Sequence, residues 1–112
     1  MSISFDDFDI FELFLSEPEN IVCEDGKSGV VFKKSNGEEK LELTIFPDYN
    51  VICVRIFWRE SKIIDVSLTD ISKIEKIEKR ERYLIVYKGK DVIASILLSD
   101  RMNIAINNKD MW

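Results

Sequence analysis

Twenty-one carboxylates, two cysteines and no histidine set what this 112-residue chain can do chemically. Histidine is the commonest general base and metal ligand near neutral pH. Without it, a Ser–His or Cys–His nucleophile cannot be built from this chain alone. Cys23 and Cys53 have no second pair of soft ligands beside them, which excludes a tetrahedral zinc site of Cys and His. Gly26-Lys27-Ser28-Gly29 is too short for a phosphate loop, lacks its closing Lys-Ser/Thr, and reads as a turn. Asp6-Asp7-Phe8-Asp9 carries three acids but not the Gly and distal Glu of a calcium loop. A converging carboxylate pair for glycoside hydrolysis is compatible with any chain this acidic, and solvated surface charge is the simpler reading. No catalytic residue, metal or cofactor is expected.

What the acids do form is a tract. Asp6, Asp7, Asp9, Glu12, Glu17, Glu19, Glu24 and Asp25 fall in the first 25 residues, which contain no Lys or Arg. That segment carries −8, and the remainder, with 13 acids and all 16 bases, carries +3. A dense negative lobe repels nucleic acid and anionic lipid and steers cationic proteins toward itself. These eight residues are the candidate partner-binding set, and a basic protein is the expected partner. The opposite tendency is local: bases from Lys73 to Lys90 are interleaved with Tyr83 and Tyr87, as in single-strand binders. Lys and Glu alternate there, however, as on a protected sheet edge. With a pI near 4.8 the whole molecule repels phosphate, so no nucleic-acid partner is expected.

The elements that must carry the tract begin with one helix, about 4–16. Ser4 is placed to cap it, with acids in the first turn, and Pro18 disfavours helix at Glu17. Phe5, Phe8, Phe11 or Glu12, and Leu15 recur at the 3–4 spacing of one face, which is assigned to the core, with Ile10 and Phe14 flanking it. On that assignment the acids at 6, 9 and 12 point outward, and reversing their charge leaves stability nearly unchanged. Any of Ile10, Phe14, Trp58 or Trp112 left exposed would anchor a partner. Strands follow at about 21–24, 29–34, 40–46, 51–59, 62–68, 73–79, 83–88, 92–98 and 102–106, punctuated by Asp25-Gly26, Asn36-Gly37, Pro47–Asn50 and Lys88–Asp91. The stretch 69–79 is helical or bulged by its threefold Ile spacing, and a turn at 69–72 before a strand is favoured. Val51–Arg59 reads as the central strand and Val92–Leu98 as a buried one. The expected fold is α+β and mainly β: one domain over 1–112, with a short helix on an antiparallel sheet of seven or eight strands, rolled or sandwiched.

Cys23 and Cys53 sit in apolar runs and are expected to be buried thiols, with their pairing left open. No basic leader opens the chain and no apolar run nears the roughly 20 residues that span a bilayer. A cytoplasmic protein with no membrane partner is the default expectation.

A short acidic, Phe-rich N-terminal helix ending at Glu17-Pro18-Glu19, then a meander rich in Ile, Lys and Glu, resembles the immunity proteins of bacterial contact-dependent and polymorphic toxin systems. The resemblance is of general type, without a diagnostic motif, and transfers no functional residue. It implies a non-enzymatic inhibitor, monomeric when bound, that neutralises a cognate basic toxin, often a nuclease, by occluding its active site. A second likeness lies in Leu68–Leu98, whose Ile repeats and Lys88-Gly89-Lys90 turn are similar to the curved sheets of pleckstrin-homology-like domains. That likeness implies a scaffold or headgroup-binding module with Lys88 and Lys90 on phosphate. Such domains end in a covering helix, for which Met102–Trp112, with Asn103, Asn107 and Asn108, is poorly suited.

Overall fold

Short turns divide the chain into two consecutive meanders. The computed structural model describes residues 2–99 and 101–106. Within them lie one α-helix, α1 (Asp7–Phe14), and nine strands: β1 (Glu19–Val22), β2 (Ser28–Asn36), β3 (Glu39–Phe46), β4 (Val51–Trp58), β5 (Ser61–Leu68), β6 (Lys73–Glu78), β7 (Arg82–Lys88), β8 (Asp91–Leu98) and β9 (Met102–Ile106). All strand pairs are antiparallel neighbours in sequence. They form a five-stranded sheet, β1-β2-β3-β4-β5, and a four-stranded sheet, β6-β7-β8-β9. The fold is mainly β with one short N-terminal helix, as expected, and its nine strands, one for each of the expected ranges, divide between two sheets. Residues 69–72 are the link between the sheets and Lys73–Glu78 is strand, as favoured.

Alternation drives the packing. Leu41, Leu43 and Ile45 of β3, Ile52, Val54 and Ile56 of β4, Leu84 and Val86 of β7, and Ala94, Ile96 and Leu98 of β8 are buried in one core cluster. Ile3, Ile10, Leu13 and Phe14 join that cluster from the N-terminal side, with Phe32, Ile71, Ile74 and Met102. The expectation for β4 is corrected: it lies between β3 and β5 with β3 central, and only one of its faces is buried. The same holds for β8, whose other face is half-buried.

Turn chemistry fixes the registers. Asn36 pairs with Glu39 across a two-residue loop, and Gly37 takes its first position at φ +66°, where a side chain would be strained. The β4–β5 loop makes the same reversal without glycine: Arg59 and Glu60 both adopt positive φ, 49° and 68°. Arg59 is held there by its amide donating to the Glu38 carbonyl at 3.0 Å and its Nε donating to Glu38 Oε2 at 2.9 Å. Gly29 serves a different need: a Cβ there would lie 2.8 Å from the Phe46 ring, which covers it.

Cys23 and Cys53 are free and half-buried rather than buried. Cys53 lies on the outer face of β4, its Sγ 3.4 Å from Ser67 Oγ, because β4 buries its even-numbered residues. Trp112 lies outside the described residues.

Candidate functional site

The acid tract folds as helix α1 followed by edge strand β1. The C-terminal end of α1 packs on β2 near Phe32–Lys34, and β1 runs antiparallel to β2 at the margin of the five-stranded sheet. The helix starts later than expected, because Ser4 does not cap it. Ser4 instead extends the edge of β6: its amide donates to the Ser72 carbonyl at 2.9 Å and its carbonyl accepts from the Ile74 amide at 2.9 Å. The cap is Asp6, whose Oδ1 accepts from the Phe8 and Asp9 amides at 2.9 and 3.2 Å. At the other end Leu15 takes a left-handed C-cap at φ 55° and donates to the Phe11 carbonyl. Strand β1 likewise begins at Glu19, ahead of the expected residue 21.

The helix is fastened from two sides. Toward β2, Lys34 Nζ donates to the Leu13 carbonyl at 3.0 Å and Ser16 Oγ donates to the Lys33 carbonyl at 2.6 Å. Toward β6, Lys76 Nζ lies 2.9 Å from Glu12 and 3.4 Å from Asp9. The hydrogen bond to Glu12, with the nearby charges of Asp9, Glu12 and Glu78, holds the Lys76 ammonium above its ordinary pKa against the pull of desolvation.

These anchors set which side of α1 faces inward: of the stripe assigned to the core, Phe5, ahead of the helix, does pack against it, but the assignment is inverted for the residues that follow. Ile10, Leu13 and Phe14 are buried, with Phe14 5.8 Å from Phe32 between ring centroids. Phe8, Phe11 and Leu15 are exposed, at 65%, 38% and 72%. Of the other candidate anchors, Ile10 and Phe14 are in the core and Trp58 is 45% exposed on the β4–β5 turn, with the Arg59 guanidinium stacked against it.

The eight acids therefore divide by role. Asp6 is a cap, and Asp9 and Glu12 hold Lys76. Glu19 pairs with Lys33 at 3.6 Å, and Asp25 pairs with Lys27 at 3.6 Å and accepts from its amide at 3.1 Å. Asp7, Glu17 and Glu24 are exposed. The expectation that Asp6, Asp9 and Glu12 could be reversed at no thermal cost does not hold, since all three bind the helix to itself or to β6.

Elsewhere the charges are cross-paired. Lys73 bridges to Glu75 at 2.6 Å, Arg82 to Glu78 at 4.0 Å and Lys88 to Asp70 at 3.6 Å, while Tyr83 donates to Glu81 at 3.0 Å. A cleft of about 490 Å³ between the end of β2 and the β6–β7 turn is lined by Lys34, Arg80 and Arg82 with one carboxylate, Glu81. Among the described residues no three His, Cys, Asp or Glu side chains gather as a metal site. No helix among them is long and apolar enough to cross a membrane.

The molecule is thus a two-sheet, mainly β protein with one N-terminal helix presenting an acidic margin. This fold matches a chain of the contact-dependent growth inhibition toxin–immunity protein complex from Klebsiella pneumoniae 342, with a TM-score of 0.77 over 96% of this chain and 98% of that one. The two chains are 14% identical, so the likeness is one of fold. No protein-family model matches the sequence, and no curated protein matches it.

Proposed function

We propose that this chain is an immunity protein: a non-enzymatic cytoplasmic inhibitor that binds a cognate basic toxin as a monomer and occludes its active site. The observation that carries the reading is the fold likeness, nearly end to end, to a chain of a toxin–immunity complex. Such a complex has two kinds of chain, and the chemistry of this sequence favours the inhibitor. It has no histidine for acid–base work and a net charge of −5, concentrated in one tract. A nuclease is the target class that suits the tract, because a cleft built to hold phosphates is cationic and carboxylates compete for it.

The test is binding kinetics against the purified product of the adjacent upstream gene, at two ionic strengths. Reversing Asp7, Glu17 and Glu24 to Lys spares the cap and the Lys76 anchor. We expect slower association and a weaker salt dependence, since exposed charges act mainly on the encounter rate, with the thermal midpoint lowered only slightly by the loss of Asp7 from the first turn of α1. Glu60→Lys, outside the tract, should leave all three unchanged. Absence of binding by the wild-type protein overturns the immunity reading. An association rate indifferent to the triple reversal removes the tract from the interface.

A further inference from the structure

Helix α1 has two apolar faces, and only one of them is used by the fold. Ile10, Leu13 and Phe14 are at most 3% exposed, while Phe8, Phe11 and Leu15, spaced i, i+3 and i+7, form a stripe on the opposite side. Single exposed apolar residues need no explanation, but two large ones on an eight-residue helix, continued by a third at its C-cap, make an unpartnered surface. The helix beneath it is fixed by the Asp6 cap, by Lys34 and Ser16 toward β2, and by Lys76 toward β6. The stripe is therefore displayed preorganised, which lowers the ordering cost of docking.

Charge identifies what can cover it. The tract contributes eight acids, and the three lysines paired to them, Lys27, Lys33 and Lys76, leave it at −5. A symmetric contact between two copies would set this rim against itself, and an anionic lipid surface would be repelled in the same way. Covering the stripe also takes water from the neighbouring carboxylates of Asp7 and Glu12, which is costly unless the partner brings cations. We propose that Phe8, Phe11 and Leu15 are the apolar anchors of the toxin-binding surface, seated as a helix in an apolar groove of the toxin rimmed by basic side chains. This rests on the immunity reading and assigns its energetic centre: the carboxylates speed the encounter, and the stripe sets how long the complex lasts.

The experiment compares Phe8→Ser, Leu15→Asn and their double variant with the wild-type protein against the same upstream gene product. Asn is at ease in the left-handed conformation of residue 15, so that change keeps the C-cap. We expect each single variant to bind about tenfold more weakly, through faster dissociation at an unaltered association rate, with a thermal midpoint no lower than wild type. Unchanged dissociation in the double variant, while the wild-type protein still neutralises the toxin, overturns this inference and leaves the immunity reading standing. If the wild-type protein does not bind the toxin, the reading fails and the inference falls with it. Sedimentation adds a further outcome: a wild-type dimer dissolved by either substitution would make the occupant a second copy and overturn the proposal.

Discussion

On the outside of the five-stranded sheet, Lys33, Glu42, Arg55 and Asp65 stand side by side on four adjacent strands, alternating in sign. Glu19 extends the series through its bridge to Lys33, and Arg55 meets Asp65 at 3.4 Å. The outside of α1 is composed differently, with large apolar side chains among acids whose lysine partners are too few to balance them. The charges of this sheet face are paired along the row, although Ile63 and Trp58 at its β4–β5 end are exposed. The helix surface is incomplete in both charge and burial, which is the condition of a surface that awaits another molecule. Composition already sets the two apart, since the first 25 residues hold eight acids and no base. Cross-strand register adds what composition cannot show, that the charges of the sheet face meet in pairs.

The largest expected effect breaks the comparison within α1 itself. Leu13→Ala removes a side chain that is 0% exposed and should cost about 2–5 kcal/mol in chemical denaturation. Phe8→Ala, five residues earlier, should stay within about 0.5 kcal/mol of wild type. Equal losses at the two positions would mean that the outer stripe is packed after all. A smaller effect tests how finely the sheet face is fitted. Gly29→Ala drives a Cβ to 2.8 Å from the Phe46 ring and 3.0 Å from the Ile45 carbonyl, an overpacking that should cost about 1–3 kcal/mol. Adding Phe46→Leu should recover most of that loss, and failure to do so would assign the strain to the backbone contact instead.

The strands were legible because their signals are local. Leu41, Leu43 and Ile45 alternate, Asn36-Gly37 announces a hairpin, and both features stand where expected. The helix face was not legible, because α1 is apolar nearly all round and two rows satisfy the same spacing. One runs through Phe5, Phe8, Phe11 and Leu15, and the other through Ile3, Ile10, Leu13 and Phe14. The choice between them is made by Lys34 and Lys76, the latter 64 residues from Glu12 in sequence. The Ser4 cap failed for a similar reason, since its backbone pairs with β6, which lies about seventy residues further on. The Arg59–Glu60 turn carries no turn residue at all, and its support, Glu38, is on another hairpin. For the candidate site, the acid tract was visible as composition. Its division into cap, anchors and exposed charges was not, and neither was the exposed stripe between them.

The smallest expected effects come from titration, and they sharpen the comparison by separating the two regions in pH. Asp65 is held below its ordinary 3.8, chiefly by its hydrogen bond from Lys62, and Glu75 below its ordinary 4.5, chiefly by Lys73. A carboxylate with a lowered folded pKa stabilises the protein above its unfolded value, and that contribution is lost as pH falls through the folded one. The contributions of Asp65 and Glu75 should therefore be lost in acid, below about pH 4, while Lys73, raised chiefly by the same Glu75, gives the four-stranded sheet a loss in alkali as well. Lys76 behaves as Lys73 does. Raised above 10.5, chiefly by Glu12, it stabilises the fold fully below that value, and the contribution is lost as pH rises through the higher folded value. The fastening of α1 to β6 should thus give way in alkali. Thermal midpoints across pH, with far-ultraviolet ellipticity as the readout for α1, should show a modest alkaline step that Lys76→Met reduces and Asp65→Asn leaves intact. Asp65→Asn should blunt the acid limb alone. If both substitutions flattened the same limb, the two surfaces would be electrostatically one, and the contrast between a paired sheet face and an open helix face would not stand.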